Sequence, residues 1–237
     1  MISGLFVTGT GTDVGKTRVV AGVMRWFLKR GANAMVMKPV QTGAERDAEG
    51  RRVAPDVEFV SRASGLCLDD ETRGRVAPYL FDPACSPHLA ARLAGCPIRI
   101  ERIQECAQWL ADRYDRLVIE GAGGLMVPLG EAGTMLDLAA ALGLPALLVG
   151  HSGLGTINHV LLSLDALRQR GIAPMGVILN DCAPVPESSC YIHDDNAEAI
   201  ETFGSVRVLA RIPYLGPEPD WDRLDAALAG CDFMGGQ

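Results

Sequence analysis

Nine residues near the start of the chain, Gly9-Thr10-Gly11-Thr12-Asp13-Val14-Gly15-Lys16-Thr17, are of the types that bind phosphate. A glycine-rich turn lets backbone N–H groups converge on an anion, and a helix starting there adds its dipole. Lys16 would set a point charge on the outer phosphates and the Thr17 hydroxyl would ligate Mg²⁺. Asp13, Val14, Gly15 and Arg18 complete the phosphate-facing stretch. The short form of such a loop needs glycine at position 10, which is Thr10; Gly9 supplies it one residue earlier. A dinucleotide fingerprint fails, because its third glycine falls on Val14. These residues predict a nucleotide triphosphate site.

Three more segments put polar residues where a parallel sheet delivers them to ligands, outside the carboxyl ends of its strands. Lys38 follows the apolar run 34–37 and precedes Pro39-Val40-Gln41-Thr42-Gly43. It is either a ligand-facing lysine beside the phosphate loop or an ordinary solvated one. Glu120 ends the apolar run 117–119 and precedes Gly121-Ala122-Gly123-Gly124, the arrangement in which a carboxylate holds Mg²⁺ or its water. Asn180-Asp181 ends the run 175–179. Asp56, after Pro55, reads by itself as a helix cap. Cys190 and His193 have ligand-like spacing, but no second pair accompanies them, so no zinc site is expected.

These positions need strands and helices in alternation, and the patterning supplies both. Residues 2–8 form an apolar strand before the loop, and Val19, Val20, Val23, Met24, Phe27 and Leu28 recur at helical spacing after it, to Gly31. Strands are expected at 34–37, 117–120, 146–150, 175–179 and 206–212. Helices are expected after Asp56, after Ser86-Pro87, at 100–113, from about 156 to 171, and at 221–228. The polar stretch 44–55 reads as a mobile loop. The fold expected is α/β, a doubly wound and mostly parallel sheet with helices on both faces, in one domain over 1–237.

At 237 residues the chain is large enough for a full core, with 48% hydrophobic residues and 27 glycines for short turns. A net charge of −7 argues against nucleic acid or an anionic membrane as partner. No apolar run is long enough to span a bilayer and no leader precedes the first strand, so a soluble, cytoplasmic protein is expected. Seven cysteines without a C-x-x-C pair fit reduced thiols. No apolar or basic stripe marks a partner surface.

The motifs at 9–17, 38–43 and 118–124, with Gly-Leu-Gly-Thr-Ile-Asn-His at 153–159 and Leu-Asn-Asp at 179–181, together resemble dethiobiotin synthetase. The resemblance runs in order from residue 5 to about 218 and implies a P-loop NTPase-like fold with the longer form of the loop. It implies closure of a cyclic urea on 7,8-diaminononanoate with CO₂, ATP and Mg²⁺, the penultimate step of biotin synthesis. It assigns Lys16 and Thr17 to the ATP phosphates and Mg²⁺, and Asp56 and Glu120 to the metal, displacing the capping role of Asp56. Lys38 matches the catalytic lysine, Thr12 and Thr42 match substrate-loop positions, and Gly121, Ala122 and Gly123 flank the nucleotide. Asn180, with Asp181, matches the adenine-reading position, and Pro213, Tyr214 and Leu215 flank the base. Such enzymes are homodimers, and Asn158 matches a residue that reaches the substrate carboxylate across the interface. Gly11 replaces the usual aspartate, and Asp13 stands where glutamate is common. The same loop also serves switch ATPases that act through a partner, which is the alternative reading.

Overall fold

The computed structural model describes residues 2–234. The phosphate loop lies between β1 (Gly4–Gly9) and α1 (Lys16–Lys29). Next come β2 (Ala34–Met37), the short β3 (Val40–Thr42), and β4 (Glu45–Arg46) paired with β5 (Arg52–Val53). Then follow α2 (Pro55–Ser64), α3 (Asp70–Val76), β6 (Tyr79–Phe81), α4 (Pro87–Leu93) and α5 (Ile100–Ala111). The second half holds β7 (Arg116–Gly124), α6 (Met135–Leu142), β8 (Ala146–His151), α7 (Thr156–Gln169), β9 (Pro174–Asn180), α8 (Cys190–Gly204), β10 (Val208–Ile212) and α9 (Trp221–Leu228).

Six strands form one parallel sheet in the order β10-β9-β8-β1-β7-β2. Successive strand residues point to opposite faces. Leu5, Phe6 and Val7 are nonetheless all fully buried, as are Leu117, Val118 and Ile119, so both faces of the sheet are covered. This is why the strands read as unbroken apolar runs rather than alternating ones. The helix α1 packs on β1, β2 and β7, with α2 and α9 against it; α7 covers β8 and β9 and carries α8. A smaller core of Leu148, Val160, Leu164, Val177, Leu179 and Ile200 fills the space beneath α7 and α8.

Register decides which polar residues meet. Met37 pairs with Ile119, so Lys38, just past the end of β2, comes to lie beside Glu120 within β7. Gly9 pairs with both Gly124 and Val149, and His151 pairs with Asn180, which sets the phosphate loop between β7 and β8.

One expectation changes. The stretch 44–55 is not an open loop: β4 and β5 pair antiparallel there, and the Asp47 carboxylate accepts from the Glu49 and Arg51 amides to close the turn. Leu154, in the turn before α7, and Leu162, within α7, are exposed, while Val160 and Leu164 of the same helix are buried.

Candidate active site

The loop from Thr10 to Gly15 is tied down at both ends: the Thr10 amide donates to the Val149 carbonyl at 2.9 Å, and Val19 donates to Gly15 at 3.1 Å. Gly15 has φ +93°, and a Cβ there would lie 2.2 Å from the Asn180 amide nitrogen. Only glycine meets both demands. Asp13, at φ 59°, is one of two described non-glycine residues with positive φ. From the first turn of α1 the Lys16 ammonium folds back to donate to the Gly11 carbonyl at 2.7 Å. Burial, and then the charge of Lys38, lower its pKa to about 8.

The chemical centre is a cluster drawn from four segments. The Lys38 ammonium lies 2.6 Å from Asp56 Oδ2 and 2.7 Å from Glu120 Oε1, with the Gly121 carbonyl at 3.5 Å. Thr17 donates its hydroxyl to the same Glu120 oxygen at 2.9 Å. Burial pulls the Lys38 ammonium downward, but the Glu120 and Asp56 carboxylates outweigh it and hold the group above the ordinary lysine range. For Glu120, burial pushes the carboxyl upward against the attraction of Lys38. Two carboxylates share one ammonium here. Asp56 does not cap a helix: Ala54 holds the N-cap position, and the Asp56 side chain, in the first turn of α2, reaches Lys38 instead.

This cluster opens into a cleft of about 1000 Å³, large enough for a nucleotide and a second substrate together. Thr12, Asp13, Gly15, Lys16, Thr17, Arg18, Lys38, Thr42, Asp56, Glu120, Ala122, Gly123 and Asn180 all line it. Val14 contributes its carbonyl, which accepts from the Asn180 side chain at 3.2 Å. Arg18 donates to the Gly216 carbonyl at 2.7 Å and so ties the segment after β10 to the loop.

Other candidates lie elsewhere. Asp181 is buried and outside the cleft lining, its carboxylate held by Ser152 and Arg211. Pro213, Tyr214 and Leu215 follow β10 outside that lining, with Leu215 packed into the core. Asn158 is exposed in the first turn of α7. His193 meets Ser152, and the described residues contain no group of three or more His, Cys, Asp or Glu placed to hold a metal ion.

Sequence reasoning missed several lining residues: Gln41, Phe59, Arg62, Cys85, Ser86, Val127 and Cys182. Gln41 lay within a segment already singled out, and Phe59 stands three residues after Asp56 on one helical face. The others reach the cleft only through chain folding.

Thr17, Asp56 and Glu120 offer hard oxygen donors around a point where positive charge is already held, a set that suits Mg²⁺ and not a soft metal. Two carboxylates and a hydroxyl leave the remaining Mg²⁺ positions to water and phosphate.

A parallel sheet, a glycine-rich loop opening onto a helix and a buried strand carboxylate facing the loop's threonine define a P-loop nucleotide-binding α/β protein. A family model described as "AAA domain" matches residues 3–217. A dethiobiotin synthetase of Anaeromyxobacter dehalogenans is 42% identical, aligned over 92% of this chain and 91% of its own length. One from Clostridium novyi is 36% identical over 91% and 89%. The chain belongs to the ATP-dependent dethiobiotin synthetase family. Among solved structures, the MinC:MinD cell division complex of Aquifex aeolicus matches with TM-score 0.56 at 13% identity, covering 95% of this chain and 86% of that one. The ParA family ATPase of Chlorobium tepidum matches with TM-score 0.50 at 16% identity, covering 97% and 89%. At such identities the likeness is one of fold.

Proposed function

We propose that this chain closes the ureido ring of dethiobiotin on 7,8-diaminononanoate, consuming CO₂ and ATP and releasing ADP and phosphate. The observation that carries the reading is the convergence of Lys16, Thr17, Lys38, Asp56 and Glu120 on one cleft. One amine of the substrate adds to CO₂, giving a carbamate and losing a proton. The carbamate oxygen attacks the γ-phosphorus of ATP, and ADP leaves. The second amine attacks the carbonyl carbon of the mixed anhydride, phosphate leaves, and the ring is closed.

No step needs a nucleophile from the protein. The reaction needs several anionic groups held together in line, which fixed positive charge and backbone donors provide. Lys16 and the loop amides bind the outer phosphates. Lys38 stands on the substrate side and neutralises the carbamate, with Thr12 and Thr42 orienting the diamine. Thr17, Asp56 and Glu120 would hold Mg²⁺, which supplies further charge neutralisation at the phosphates when bound. Asn180 reads the adenine, with Gly121, Ala122 and Gly123 giving the nucleotide close backbone approach.

We assign the chain to a cytoplasmic homodimer in which Asn158 of one subunit reaches the substrate carboxylate bound by the other. Asn158 is exposed in the first turn of α7, which leaves it open to a second subunit. The test of the whole reading is phosphate release from ATP with and without 7,8-diaminononanoate and bicarbonate. Release that requires both is expected. Equal release without the diamine would refute ring closure and favour a switch ATPase.

A further inference from the structure

A second polar cluster lies outside the cleft and joins the ends of three strands to α8. Ser152 is fully buried, and Asp181, His193 and Asn196 are each less than a tenth exposed. Arg211 reaches Asp181 Oδ2 through Nη2 at 3.0 Å and Nε at 3.2 Å. Ser152 donates its hydroxyl to Asp181 Oδ1. That hydroxyl has a single proton, so the His193 Nδ1 at 2.9 Å from it is the donor, with Asp181 Oδ1 also within 3.1 Å. One turn along α8, Asn196 donates to the Ser152 carbonyl at 2.9 Å.

The cluster reaches the cleft through the chain on either side of Asp181, where Asn180 and Cys182 both line it. The Ser152 amide donates to the Asn180 carbonyl at 3.1 Å, and the Asp181 amide donates to Ile212 at 2.9 Å. Asn180 is thus clamped on both sides through its backbone, while its carboxamide lines the cleft and bonds Val14 of the phosphate loop. A side-chain amide turns with its backbone, so what fixes residues 180–181 also aims the carboxamide. A buried carboxylate keeps one arrangement only when every partner is present.

We propose that His193 is a positioning residue for recognition of the nucleotide base: through Ser152 and Asp181 it holds the Asn180 carboxamide at the base end of the cleft. The inference rests on the reading of Asn180 as the adenine contact. It gives α8 a role in specificity, although no residue of α8 lines the cleft.

Calorimetric binding of ATP and of inorganic tripolyphosphate, each with Mg²⁺, tests it, because tripolyphosphate has no base. His193→Leu should weaken ATP about tenfold, the worth of one charge-assisted hydrogen bond, and leave tripolyphosphate within twofold of wild type. His193→Asn, which restores a donor near the Nδ1 position, should recover most of the ATP affinity. Where His193→Leu fails to fold by circular dichroism, Ser152→Ala takes its place, with ATP weakened at least threefold and tripolyphosphate unmoved. Equal weakening of both ligands would make the cluster a general structural brace and overturn the proposal. So would unchanged ATP affinity in a folded variant. Wild-type protein that binds the two ligands equally tightly would overturn the base-reading role of Asn180 itself, and the proposal with it.

Discussion

Replacing Lys16 with Met should make the protein more stable and nearly inactive at once. Lys16 is 7% exposed, and burial with the nearby Lys38 charge lowers its pKa from the ordinary 10.5 to about 8. That difference corresponds to about 3 kcal/mol of folding free energy, at 1.36 kcal/mol per tenfold. The folded value is the lower one, so between pH 8 and 10.5 the unfolded chain binds more protons and stability rises with pH. Below pH 8 the penalty is present in full. Methionine removes it, and also removes the hydrogen bond to Gly11, worth about 1.5 kcal/mol. At pH 7 without nucleotide, Lys16→Met should therefore be about 1.5 kcal/mol more stable than wild type in urea unfolding. At pH 10.5 and above the penalty is nearly gone and the lost hydrogen bond remains, so the variant should be about 1 kcal/mol less stable than wild type. Ring-closing turnover should fall by roughly 100-fold or more, since the contact proposed for Lys16 on the outer phosphates is gone. A variant less stable than wild type by the same amount at both pH values, or one within threefold of wild-type turnover, would refute the reasoning.

Removing a carboxylate should expose the metal assignment: Asp56→Asn and Glu120→Gln should each weaken Mn²⁺ binding in the presence of ADP by at least tenfold, read by electron paramagnetic resonance. Gly15→Ala should cost about 2–4 kcal/mol in thermal or urea unfolding, because φ +93° disfavours a side chain and the new methyl strikes Asn180. The shared site is tested by mixing: Asn158→Ala and Lys38→Ala subunits, each weak alone, should regain up to half of wild-type activity per mixed dimer, because one of its two sites carries neither lesion. Confirmed heterodimers that regain nothing would place the Asn158 role within its own subunit.

The phosphate loop was legible in the sequence because it is local: one strand, one turn and one helix start lie within about twenty residues, and short-range sterics and hydrogen bonding dictate them. The placement of Lys38 at a strand end was legible for the same reason, as it closes an apolar run; Glu120 closes one too, but β7 continues past it to Gly124. That these two residues meet was not local. It follows from β7 lying between β1 and β2 with Met37 opposite Ile119, a strand order that no stretch of sequence states. Asp56 shows the difference most clearly. Its neighbours Pro55 and Val57 are compatible with a cap, and by local chemistry alone a cap was the better reading. Only the folding of α2 over β2 brings its carboxylate to Lys38, where the attraction of a buried ammonium decides the rotamer. Asp181 went the other way: it sits beside a cleft residue in sequence, yet Arg211 and Ser152, from two other strand ends, draw it out of the cleft. Residue type and spacing determined which groups could do chemistry, because they act over a few bonds. Strand order and helix packing decided which of them share a charge, because a carboxylate is oriented by whatever cation the fold brings within about 3 Å.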